Sequence, residues 1–157
     1  IELIDKDIKV SNADNLHIGN NMIRLFDEKL STYDFDKIVI ENQIGRNAIK
    51  MKTIQGMISM YFLMKGYTPD SICSYNAVHK LKYWVGSKKT KYDQRKKLSK
   101  QITQQMCESY YDNKTFQIYK KNKKKDDLAD CLLQGLDYLC KFNNLDAEYV
   151  EYVNVIV

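Results

Sequence analysis

The chain has 157 residues and a mass of 18.5 kDa, and with 44% hydrophobic and 29% charged residues, 6 Gly and 1 Pro it has the length and composition of one packed domain rather than a disordered or collagen-like segment. No apolar run approaches the roughly 18 residues that cross a bilayer, and Ile1 to Val10 carries charges where a secretion signal carries an apolar core. The net charge of +5 is unevenly spread: residues 80–125 hold 15 Lys and Arg against 3 acids, leaving 10 basic against 17 acidic residues elsewhere.

Ile1 to Val10 reads as two short strand pieces about an Asp5-Lys6-Asp7 turn. Met22, Ile23, Leu25, Phe26 and Leu30 recur at helical spacing and predict a helix over about 21–31 behind asparagine caps. Lys37 to Glu41 is a short, β-branched, continuously apolar run, the pattern of a strand covered on both faces, with Glu41 at its C-terminal end. After a loop at Gly45 to Asn47, Ile49 through Leu63 carries an apolar helical pattern up to Gly66 that covers the sheet. Tyr67 to Asp70 is a turn and Ser71 to Tyr75 the next strand, so helix, strand, helix, strand follow one another and argue for an α/β layer with a parallel pair. Residues 76–92 read as loop or a short helix, about 93–111 as a helix with Leu98, Ile102 and Met106 on one face, and 112–125 as polar connection. Asp126 and Asp127 open the clearest helix, whose stripe of Leu128, Ala129, Leu132, Leu133, Leu136 and Leu139 ends near Phe142. Tyr149 to Val157 reads as an edge strand or a contact with another chain.

Cys73, Cys107, Cys131 and Cys140 form no CxxC pair and read as small buried hydrophobes in a reducing compartment. His17 and His79 are too few and too far apart for a zinc site, and no glycine-rich phosphate loop is present, which excludes zinc enzymes and P-loop NTPases. The basic block is either the footprint of a polyanion, nucleic acid being the natural candidate, or a solvated lysine face. Its rings Tyr83, Trp84 and Tyr92 serve either as stacking platforms for bases or as core.

Three carboxylates stand out. Glu41 ends a buried strand, and Asp127 and Asp130 share a helix face at i and i+3. Close carboxylates repel and need a counter-charge, and with no histidine nearby the oxygen donors suit Mg²⁺ or Mn²⁺. The competing reading is structural: acids in the first turn of a helix, Asp126 and Asp127 above all, are stabilised by the macrodipole, and Glu41 has many lysines to pair with.

Ile38-Val39-Ile40-Glu41-Asn42-Gln43, Lys50-Met51-Lys52 opening a helix, Arg95-Lys96-Lys97, and Lys124-Lys125-Asp126-Asp127-Leu128-Ala129-Asp130 together resemble the RuvC-like Holliday junction resolvases of the poxvirus and fungal mitochondrial branch. The last segment is the most specific, and the resemblance spans roughly residues 1–142. It implies an RNase H-like α/β fold with a mixed central sheet flanked by helices, over 1–142, and leaves 143–157 as an extension. It further implies a homodimer that resolves four-way DNA junctions with two Mg²⁺ ions. Glu41 matches the strand glutamate, Asp127 and Asp130 the helix pair, Lys97 or its neighbour Lys96 the active-site lysine, and Asp126 a further acid and metal ligand. The family opens with a strand carrying a first catalytic aspartate, and the expectation is that this strand lies upstream of Ile1.

On this reading Glu41, Asp127, Asp130 and Lys97 are catalytic. Glu41, Asp126, Asp127 and Asp130 are the metal ligands. Branched DNA is gripped by Lys80, Lys82, Lys88, Lys89, Lys91, Arg95, Lys96, Lys100, Lys123, Lys124 and Lys125 through backbone phosphates. The compartment implied is a viral factory in host cytoplasm or the mitochondrial matrix. Two alternatives carry other consequences: a DNA-binding module with an incomplete metal site, and a nuclease of the same fold for an RNA/DNA hybrid or a flap.

Overall fold

The computed structural model describes residues 12–45, 48–76, 78, 80–85, 91–110 and 112–142, and the chain divides into two compact units, Ile1–Asn76 and Ala77–Val157. The strands expected within 1–10 and 149–157 lie outside the described residues.

In the N-terminal unit, helix α1 (Asn15–Leu30) starts six residues before the predicted position. Its cap is Asp14, whose carboxylate accepts from the His17 N–H at 3.0 Å, and not an asparagine further along. Ile18 and Met22, both buried, carry the apolar stripe back through the asparagine-rich turn that reads as polar in sequence. Strand β1 (Ile38–Glu41) buries Ile38 and Ile40 and leaves Glu41 exposed.

Helix α2 (Ile49–Met64) covers β1 as expected: Met57, Ile58, Tyr61 and Phe62 pack with Met22, Ile38 and Ile40 in one cluster. It ends at Gly66, where φ of +92° is open to glycine at little cost. The Gly66 N–H donates to the Leu63 carbonyl and the Tyr67 N–H to the Phe62 carbonyl, and the Tyr67 ring packs on Phe62 at 5.6 Å. This closure of the helix end reverses the chain into a 3-10 turn, Pro69–Ser71, which takes Ser71 out of the predicted strand. Strand β2 (Ile72–Tyr75) then pairs with β1 in parallel, Ile38 opposite Ile72 and Glu41 opposite Tyr75. The alternation in the sequence thus yields a β-α-β unit, and among the described residues the sheet consists of this pair.

The C-terminal unit is helical: α3 (Lys82–Val85), α4 (Tyr92–Tyr110), α5 (Asn113–Lys121) and α6 (Lys125–Phe142). Helix α5 replaces the polar connection expected over 112–125. Asp112 caps it by accepting from the Thr115 N–H, and Tyr119 is buried with its hydroxyl donating to the Lys100 carbonyl on α4. A tyrosine able to bury its ring and satisfy its hydroxyl offsets a segment otherwise rich in lysine. The core is Leu81, Val85, Leu98, Ile102, Met106 and Leu133, with Trp84 and Leu136 against it. Of the cysteines, Cys107 is buried as expected, Cys73 and Cys140 are half-buried, and Cys131 is exposed on α6, contrary to the expectation of burial.

Candidate active site

Each unit carries part of the predicted residue set. In the N-terminal unit the parallel ladder ends at Glu41, and the Asn42 N–H continues it by donating to the Tyr75 carbonyl at 2.8 Å. Glu41 is exposed, and among the described residues no side chain bonds or pairs with its carboxylate. The salt bridge that would make it a structural charge is therefore not formed there. The C-terminal end of parallel strands is where α/β proteins present their sites. Here the chain leaving β1 is held: the Gln43 N–H donates to Gln55 Oε1 at 3.0 Å, and Gln55 Nε2 donates to Ser74 Oγ at 2.9 Å, joining the loop after Glu41 to α2 and β2. Beside it opens a cleft of about 460 Å³ lined by Asn42, Gln43, Lys52, Gln55 and Ser59 among others. Lys50, in the same helix turn, donates to the Ala13 carbonyl and tethers α2 to the start of α1.

In the C-terminal unit Asp126, Asp127 and Asp130 occupy the first turns of α6, and each has a lysine. Lys80, in the turn before α3, lies 2.6 Å from Asp130 Oδ1, with the lysine side chain 17% and the aspartate 33% exposed. Lys96 on α4 donates to Asp126 Oδ2 at 3.0 Å and lies over the Tyr92 ring at 5.3 Å. Lys124 stands 4.0 Å from Asp127 in an exposed pair. The Lys96 hydrogen bond, followed by the helix's own backbone N–H groups, holds the Asp126 carboxyl below the usual carboxylate range. Conversely Asp126, and after it Tyr92, push Lys96 up to about 12.

Of the two lysines that the resemblance offers as the active-site lysine, Lys96 reaches the acidic turn, whereas Lys97 is exposed. Lys80, which the sequence places among the DNA contacts, pairs with the Asp130 carboxylate. Nothing in local spacing marks it, because its partner is supplied by tertiary packing. Lys82, Lys91, Arg95, Lys100, Lys123 and Lys124 are exposed and Lys125 half-buried, while Lys88 and Lys89 lie outside the described residues. Among the rings, Trp84 packs on the core and Tyr83 is half-buried, while Tyr92 is 62% exposed with Lys96 over its ring.

The donor set of the acidic turn is carboxylate oxygen throughout, the chemistry that hard divalent cations take, and the lysine ammonium groups already occupy cation positions against two of the acids. The residues therefore fit such an ion in kind. Within either unit, no three His, Cys, Asp or Glu side chains among the described residues gather closely enough to hold one as they stand.

Glu41 ends β1, Asp127 and Asp130 stand one turn apart on α6, and the basic block lies between them in sequence. The chain belongs to the poxvirus A22 protein family, the Holliday junction resolvase family, whose model matches residues 1–144 and so takes in every one of these positions. It is 30% identical to uncharacterized protein L451 of Acanthamoeba polyphaga mimivirus, over an alignment covering 76% of this chain and 33% of that protein. The chain thus spans about a third of the length of this curated relative. No solved structure matches it. No helix among the described residues is long and apolar enough to cross a membrane.

Proposed function

We propose that the chain is a structure-selective DNA endonuclease of RNase H-like fold that resolves four-way junctions by symmetric phosphodiester hydrolysis with Mg²⁺ or Mn²⁺. The observation that carries this reading is the family match over residues 1–144, because it includes Glu41, Lys97 and the Asp126–Asp130 turn together. Glu41 in the N-terminal unit and Asp126, Asp127 and Asp130 in the C-terminal unit are the residues that would hold the cations, which would supply positive charge to the scissile phosphate. Lys96 or Lys97 neutralises charge that builds on that phosphate, and Lys82, Lys91, Arg95 and Lys100 bind flanking phosphates by charge and shape rather than sequence.

Two copies related by a dyad match the symmetry of the junction. The exposed Met60, Leu63 and Met64 along α2 support self-association of this kind, since apolar side chains of that size gain from being covered. The viral family favours the cytoplasmic factory over the mitochondrial matrix.

The test is cleavage of a labelled four-way junction beside matched duplex, flap and RNA/DNA hybrid, with Mg²⁺ or EDTA. Paired symmetric cuts in the junction, dependent on metal, support the reading. Preference for the hybrid or flap transfers the activity to that substrate, and junction binding without any cutting makes the protein a binding module.

A further inference from the structure

The cleft beside the strand end contains a glycine that neither backbone nor packing requires. Gly56 stands in the interior of α2 and lines the cleft, and a methyl group built on it would meet nothing within 4 Å. Its backbone is helical, so the positive φ that explains Gly45 and Gly66 is not involved. A glycine at such a position costs about 0.5–1 kcal/mol relative to alanine. What the missing side chain supplies is room, because a larger residue there would take up space in the cleft of about 460 Å³. The lining carries one charge, the exposed Lys52, and no acid. Lys52 and Gly56 are one turn apart on the same face of α2. Asn42 and Gln43 line the cleft from the loop after β1, and Asn42 follows Glu41 directly. Gln55 is committed at both ends of its amide, to the Gln43 N–H and to the Ser74 hydroxyl, so this loop is braced before anything binds.

Resting on the endonuclease reading, we infer that this cleft seats one nucleotide of the DNA strand that passes Glu41, with its phosphate at Lys52 and its sugar over Gly56. Lys52 and Gly56 are on this account positioning residues: they set where the strand lies relative to Glu41 and touch no reacting atom. A lysine ammonium binds phosphate as a point charge on a flexible stem. The amides of Asn42 and Gln43 both donate and accept, so they suit any base, in keeping with selection by shape rather than sequence. The glycine has its reason in the same contact, since a strand can approach a helix backbone closely only where no Cβ stands between them. The volume lies within the range of sites that hold a molecule of nucleotide size.

The test is binding of a labelled four-way junction in EDTA, read by fluorescence anisotropy so that neither metal nor cutting enters, together with thermal melting. The chains compared are the parent, Gly56→Leu, Gly56→Ala, Lys52→Met and, as the control for lost charge, Lys29→Met on α1. Leucine and alanine form helix better than glycine, so both Gly56 variants should melt no lower than the parent. Gly56→Leu should nevertheless weaken junction binding about tenfold at an unchanged salt slope, the scale of one hydrogen bond to a charged group. Gly56→Ala should weaken it in the same direction but less, and it carries the test should Gly56→Leu fail to fold. Lys52→Met should lower the slope of log affinity against log salt by about 1, while Lys29→Met keeps the parental slope. Junction binding by the parent with equally tight binding by the Gly56 variants overturns the nucleotide seat and leaves the endonuclease reading standing. Lower melting of both Gly56 variants makes the glycine a packing residue and overturns the seat as well. A parent that binds no junction fails the endonuclease reading itself, and the seat with it.

Discussion

Lys96 on α4 and Asp126 on α6 are joined at 3.0 Å, so that the helix carrying Arg95, Lys96, Lys97 and Lys100 is bonded to the first turn of the helix carrying the acids. Because the pair holds Asp126 below its ordinary value, its stabilisation is fully present above the usual carboxylate range and is lost as pH falls through the lowered folded-state value. At the other end, Lys96 is pushed up to about 12, so the same contribution is fully present below the ordinary lysine value and is lost as pH rises from there through about 12. Asp126→Asn should therefore be less stable than the parent at neutral pH, with the gap closing in strong acid. Urea unfolding across the acid range checks this, and a gap independent of pH contradicts it.

Leu133 is fully buried and packs α6 against Leu98, Ile102 and Met106 of α4. Leu133→Ala should cost about 2–5 kcal/mol, the loss of transfer energy plus a cavity. The measurement is urea denaturation at constant slope, and a cost under about 1 kcal/mol would mean that the site collapses freely or that α6 does not dock there.

At the other end of the chain, Asp14 caps α1 through the His17 N–H. Asp14→Ala should lower stability by about 1 kcal/mol and Asp14→Asn by much less, since the amide oxygen can accept the same bond. Equal losses in the two variants would place the effect in charge and not in the cap.

Arg95, Lys97 and Lys100 are exposed on α4. If they meet backbone phosphates, alanine at each should weaken junction and duplex alike and reduce the slope of log affinity against log salt by about 1. An unchanged slope marks the basic block as a solvated face.

The sequence pattern carries α6, α4, α2 and the two strands because each has an apolar period of its own, as with Leu98, Ile102 and Met106 on α4. Helix α5 is harder to read because it is short and mostly lysine and amide, and its place depends on Tyr119 finding the Lys100 carbonyl, a contact outside its own span. The early start of α1 turns on one cap, Asp14, standing among other polar residues that read equally well as loop. At the candidate site the acids were legible from motif and spacing, and their partners were not. Lys80 and Lys96 look like any other members of a basic block until packing sets them against Asp130 and Asp126. The loop clamp through Gln43, Gln55 and Ser74 is hidden for the same reason, as three uncharged residues from three elements leave no period in the chain.

The most direct measurement of the central claim compares metal-dependent cutting of a four-way junction by the parent, Glu41→Gln and Asp127→Asn, with junction binding measured alongside. Each substitution keeps shape and removes one charge, so cutting should fall by at least about a hundredfold while binding stays within a few-fold, the mark of a group needed for the reaction and not for the grip. Cutting retained by either variant at near-parental rates would contradict the assignment of that carboxylate to the active site.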